Sequence, residues 1–116
     1  MKEGKYKPAL DEYNKAFKLG MDGVDIYNKI GFACIKNHKF QEAEKAFLES
    51  LALNKDQAEP RNNLGNLYSM FGYFKFALEE YRDALRLDPK NKGMHDNIVN
   101  TKKDWKKVLK KHKLRK

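Results

Sequence analysis

The chain has 116 residues, a formal net charge of +9 and a single cysteine, with 41% hydrophobic residues. That length predicts one compact domain, and one cysteine excludes an intramolecular disulfide and fits a reducing compartment. No run approaches the ~20 apolar residues that span a bilayer, and the opening MKEGKYKPALDEY lacks the apolar stretch of a secretory leader, so the chain as written is expected to be soluble and cytoplasmic.

Residues 1–23 introduce a pattern that returns twice when the sequence is slid by 34 positions. Tyr6, Phe40 and Phe74 share one column, Ala9, Ala43 and Ala77 a second, and Tyr13, Phe47 and Tyr81 a third. Ala16, Ser50 and Ala84 follow, then Leu19, Leu53 and Leu87. A period of this length is the mark of stacked repeats. The first segment supplies only the second helix of its unit, with Pro8 allowed in the first turn, where an amide has no intrahelical partner. Its missing partner helix predicts apolar exposure through Leu10, Tyr13 and Phe17, to be met either by chain upstream of Met1 or by another molecule.

Residues 24–57 read as a complete two-helix unit. Tyr27, Ile30 and Cys34 fill the seam of its first helix, and Gly31 marks close approach to the second, which begins near Ala43. His38 ends the first helix. Residues 58–91 repeat the unit with Leu64, Gly65, Tyr68, Gly72, Phe74, Ala77, Tyr81, Ala84 and Pro89. Arg61 stands where a large apolar residue is expected and is read as a side chain that lays its stem on the seam and its head in water.

Residues 92–116 start as the first helix of a further unit, with Met94 and Ile98 covering the last apolar face, and then run past the turn position. Gly93 to about Lys111 is therefore predicted to be one long helix. All of the net charge lies in residues 90–116, because basic and acidic residues balance over residues 1–89. Lys102, Lys103, Lys106, Lys107, Lys110, Lys111 and Lys113 surround Trp105, Val108, Leu109 and His112. This is either a solvated capping helix or a basic amphipathic surface for a polyanion or an acidic partner. The contacts then expected are Lys103, Trp105, Lys106, Lys107, Lys110 and Lys111.

The unit AEPRNNLGNLYSMFGYFKFALEEYRDALRLDPKN, residues 58–91, resembles the tetratricopeptide repeat family at the positions quoted, departing at Arg61. Residues 24–57 resemble it through Tyr27, Ile30, Gly31, Phe40, Ala43, Phe47 and Ser50, with His38 for the turn glycine and Lys55 for the closing proline. The resemblance implies an all-α fold, a right-handed α-solenoid of helix-turn-helix units. It would comprise half a repeat (1–23), two repeats (24–57 and 58–91) and a capping helix with a basic tail (92–116). It implies a non-catalytic scaffold that binds a partner peptide or helix in the groove of the first helices, at Asn28, Lys29, Phe32, Asn62, Asn63, Asn66, Met70, Asn97 and Asn100. An asparagine amide suits that task because it carries both a donor and an acceptor for an extended backbone. The same asparagines also have a plain role in bonding the neighbouring helix. Members that clamp a chaperone's C-terminal carboxylate use Lys and Asn where this chain has Asn28 and Phe32, and Lys and Arg where it has Gly93 and Asn97, so that ligand is not expected.

No catalytic or cofactor constellation accompanies the repeats. His38, His95 and His112 are scattered, and Glu79 and Glu80 are adjacent, which on a helix turns them about 100° apart. There is no HExxH, CxxC, GxSxG or phosphate-binding glycine loop. The expected partners are a protein or peptide first, with nucleic acid or a membrane surface as the alternative through the basic helix. Self-association is a third possibility, in which the uncovered first helix accepts the Trp105 segment of another copy.

Overall fold

The computed structural model describes residues 23–114, which form five helices and no strand. They are α1 (Gly23–Lys36), α2 (Phe40–Leu53), α3 (Ala58–Met70), α4 (Phe74–Leu87) and α5 (Lys92–Leu114). The helix expected within residues 1–22, with Leu10, Tyr13 and Phe17, lies outside the described residues. The chain divides between Pro60 and Arg61 into two compact units.

In the first unit α1 packs on α2. Ile26, Ile30, Gly31 and Cys34 form the buried stripe of α1, and Ala43, Ala46, Phe47 and Ser50 that of α2, each at three- and four-residue spacing. The two stripes meet where small faces large. A Cβ on Gly31 would stand 2.6 Å from Cε1 of Phe47, so the absence of a side chain there is what admits the ring. Asp25 in the first turn of α1 and Lys36 in the last complement the helix dipole.

A polar knot closes the far end of this pair. Gln57 Nε2 donates to the carbonyl of Asn54 (2.7 Å), an acceptor that the end of α2 leaves without a helical partner, and shares the Ser50 carbonyl (3.1 Å) with the backbone N–H of Asn54 (3.0 Å). Asn28 Nδ2 donates to Gln57 Oε1 at 2.8 Å, and Ser50 Oγ donates to the Val24 carbonyl at 3.3 Å. Ser50, fully buried, is thereby satisfied.

The second unit repeats the design. Leu64 and Leu67 are buried on α3 with Pro60 and Gly65, and α3 faces Ala77, Leu78, Tyr81 and Ala84 of α4. A Cβ on Gly65 would lie 2.5 Å from Cε1 of Tyr81. Pro60 is tolerated because it falls in the first turn of α3. Arg61, 17% exposed, pairs through Nη1 with Glu80 Oε1 at 3.3 Å and Asp83 Oδ2 at 3.6 Å. Ion pairing, rather than a head reaching into water, is what accommodates a cation at this seam position. Burial pushes the Glu80 carboxyl above its usual range, with Arg61 opposing that rise.

Both first helices end in the same way. At the end of α1, Lys39 N donates to the Cys34 carbonyl (2.8 Å) and His38 N to the Ile35 carbonyl (3.0 Å), with His38 at φ 59°. At the end of α3, Tyr73 N donates to Tyr68 O (2.8 Å) and Gly72 N to Ser69 O (3.1 Å), with Gly72 at φ 82°. This is the Schellman closure with a left-handed residue after the helix, built once on glycine and once on histidine.

The fifth helix is continuous over 23 residues, as its missing turn residue predicts. Asn91 Oδ1 caps it by accepting from Met94 N at 3.0 Å. Met94 and Thr101 are buried, Ile98 is half-buried, and α5 packs along α4. One column departs from the core pattern, since Leu53 is exposed at the end of α2 while Leu87 is half-buried.

Candidate functional site

Within the second unit α3, α4 and α5 enclose a cleft of about 450 Å³ lined by Asn66, Ser69, Met70, Tyr81, Asn97, Asn100, Thr101 and Asp104. Asn66 and Met70 come from successive turns of α3, and Asn97, Asn100, Thr101 and Asp104 from one stripe of α5. Tyr81 reaches from α4, its ring held against Gly65 and its hydroxyl donating to Asn66 Oδ1 at 2.5 Å. Burial raises the phenol above its ordinary value, with a hydrogen bond to Thr101 pulling the other way. The hydroxyls of Ser69 and Thr101 lie 3.3 Å apart.

Four of the residues expected from the sequence therefore share this cleft: Asn66, Met70, Asn97 and Asn100. Asn62 sits beside it, accepting from Asn97 Nδ2 at 3.0 Å. That bond commits one donor of Asn97 to a neighbouring helix and leaves its Oδ1 without a partner among the described residues. Asn63 is half-buried on α3 and does not line the cleft. Met70 is 58% exposed, an unbranched thioether at the rim that can adapt to an apolar side chain.

Ser69, Tyr81, Thr101 and Asp104 were not expected at a site. A signal existed for two of them. Thr101 falls one period after the buried Leu67, so a hydroxyl occupies a core column, and Tyr81 differs from Phe47 in the same column by its hydroxyl alone. Ser69 and Asp104 stand in columns with no consistent chemistry.

In the first unit the expected residues are arranged differently. Asn28 is held by Gln57, and its Oδ1 is buried without a hydrogen-bond partner among the described residues. Lys29 pairs with Asp25 at 3.0 Å on an exposed helix face. Phe32 is 52% exposed, with Lys36 Nζ 5.1 Å from its ring centroid.

The basic residues Lys103, Lys106, Lys107, Lys110 and Lys111 are all exposed on α5. Trp105 is not. Its ring stacks on Phe74 of α4, with centroids 6.2 Å apart and planes 22° from parallel, so Trp105 is an intrachain packing residue. Among the described side chains, Val108 and Leu109 are the large apolar ones that this end of α5 leaves exposed. No group of three or more metal-ligating side chains occurs among the described residues, and none of their helices is long and apolar enough to cross a membrane.

Paired antiparallel helices with a glycine under an aromatic ring, repeated at a fixed period, define an all-α helical-repeat protein. The tetratricopeptide repeat family model matches residues 24–90, and the chain belongs to that family. Bovine (Bos taurus) BBSome complex member BBS4 is 30% identical over 88 residues, covering 76% of this chain and 17% of that protein. Among solved structures, the Arabidopsis OM64 TPR domain superposes with a TM-score of 0.77 at 23% identity, covering 87% of this chain and 84% of the domain. The first TPR of Spaghetti (RPAP3), bound to the HSP90 peptide SRMEEVD, superposes with a TM-score of 0.78 at 22% identity, covering 88% and 83%. The chain spans less than a fifth of the length of the curated relatives it matches, 17% in the bovine case.

Proposed function

We propose that this chain is a non-catalytic protein-interaction module whose second unit binds an extended segment of a partner protein in the cleft between α3 and α5. The observation that carries this reading is the convergence of three asparagine amides, Asn66, Asn97 and Asn100, with the exposed Met70 on one concave surface. Amides paired across a cleft satisfy a peptide backbone, which presents a donor and an acceptor at each residue, and the thioether gives an adaptable apolar contact. The lining groups are amides, hydroxyls, a thioether and one carboxylate, suited to hydrogen bonding rather than to bond making. On the first unit, Lys29 and Phe32 are exposed, whereas Asn28 is tied to Gln57 with its Oδ1 buried and is not available to a ligand.

The RPAP3 domain holds an acidic peptide. A ligand of that kind needs cations, whereas the lining of this cleft carries one charge, the carboxylate of Asp104. With Asn28, Phe32, Gly93 and Asn97 where clamping members place cations and an amide, we infer a neutral or basic partner segment and not a C-terminal carboxylate. Selection of extended peptides from a random display library, followed by calorimetry on wild type and Asn100→Trp, tests the reading. Asn100 is exposed, so the indole fills the cleft without disturbing the core. Abolished binding of the selected peptides is expected; equal binding by the filled variant contradicts the proposal.

A further inference from the structure

On the other side of α5 the second unit carries a groove of opposite chemistry. It lies between α4 and α5, has a volume of about 310 Å³, and is lined by Leu78, Arg82, Lys102, Trp105, Lys106 and Leu109. Helical spacing explains the lining. Leu78 and Arg82 are one turn apart on α4, while Lys102 and Lys106, and Trp105 and Leu109, are one turn apart on α5. The result is an apolar floor walled by three cations.

The floor is recessed, since Leu78 is only 5% exposed, but it is not closed, since Leu109 is 52% exposed. No carboxylate lines the groove, and none of Arg82, Lys102 and Lys106 makes an ion pair among the described residues. Of the acids on α4, Glu80 pairs with Arg61 and Asp83 with Arg61 and Arg86, while Glu79 is exposed three residues before Arg82 and outside the groove lining. Lys102 and Lys106 stand at i and i+4, where like charges repel and a carboxylate between them relieves the repulsion.

We propose that this groove docks an acidic amphipathic segment of a partner protein, an aliphatic side chain entering over Leu78 and Leu109 with flanking carboxylates on Arg82, Lys102 and Lys106. Charge complementarity selects the partner, and the shape selects protein over the other polyanions. A membrane-surface helix presents a convex apolar ridge to lipid, whereas here the apolar residues form the floor of a depression. A nucleic-acid base stacks on an aromatic face, and Trp105 already has one face against Phe74. The inference is independent of the asparagine cleft, because no residue lines both.

Trp105 is the chain's single tryptophan, so intrinsic emission reports this groove alone. The probe is a short acetylated and amidated helix-forming peptide with leucines at i and i+4 flanked by glutamates. The comparisons are the same peptide with lysines for glutamates, a single-stranded oligonucleotide, and phosphatidylcholine vesicles containing phosphatidylserine. The expected result is a saturable shift of Trp105 emission with the glutamate peptide, weakened about tenfold by Arg82→Glu or Lys106→Glu and unaffected by Met70→Ala in the other cleft. Both charge reversals fall on exposed side chains, and an unchanged thermal melt by circular dichroism confirms the fold. No saturable shift with the glutamate peptide overturns the inference. So does an equal or tighter response to the lysine peptide, the oligonucleotide or the vesicles, or indifference to both charge reversals.

Discussion

The ring of Tyr81 occupies the space that a side chain on Gly65 would need, with Cε1 2.5 Å from the Cβ position, and Phe47 stands in the same relation to Gly31 at 2.6 Å. The two contacts lie one period apart and join the two helices of each unit. Neither ring can yield easily, because Phe47 and Tyr81 are themselves buried. Gly65→Ala and Gly31→Ala are therefore each expected to lose about 1–3 kcal/mol of stability, the usual cost of overpacking, read as a lower urea midpoint with an unchanged slope.

His38 closes α1 in the left-handed conformation that Gly72 supplies at the end of α3. An L-residue with a Cβ is strained there, and glycine is not. His38→Gly forfeits the edge contact between the His38 and Phe40 rings, 5.7 Å between centroids. The release of strain is the larger effect, and a net gain of about 0.5–1 kcal/mol is expected in thermal unfolding, while Gly72→Ala loses a similar amount.

The hydroxyl of Tyr81 links core and cleft. Tyr81→Phe keeps the ring under Gly65 and removes the bond to Asn66, costing about 1 kcal/mol at neutral pH. The phenol titrates above its ordinary value of 10.0 in the fold, so its neutral form is the favoured one. The stability this contributes is fully present below pH 10 and is lost as pH rises from there through the raised value. Wild type should accordingly lose its advantage over Tyr81→Phe between neutral pH and strongly alkaline pH, measured as the difference between their denaturant midpoints.

The helices and the close approaches at Gly31 and Gly65 were legible in the sequence because they depend on spacing and side-chain volume, which a column of residues records directly. The length of α5 was legible for the same reason, from the missing turn residue. Hydrogen-bond partners were not. Asn97 was expected either as a ligand group or as a bond to the neighbouring helix, and spacing did not name Asn62 as the acceptor of one of its donors, nor Gln57, a residue in the α2–α3 connection that belongs to no periodic stripe, as the group that ties Asn28. Periodicity tells which face a side chain occupies, but whether a polar group there is already satisfied depends on a second residue at unrelated spacing. Trp105 shows the same limit, since its spacing fits an exposed basic face while its size lets it reach back to Phe74.

The most direct test of peptide binding in the cleft is a titration of isotope-labelled protein with a display-selected extended peptide, following the side-chain amide signals of Asn66, Asn97 and Asn100 by NMR. Saturable shifts at these three, with Asn37 unmoved at the end of α1, are what the account predicts. Binding that leaves all three signals in place would contradict it.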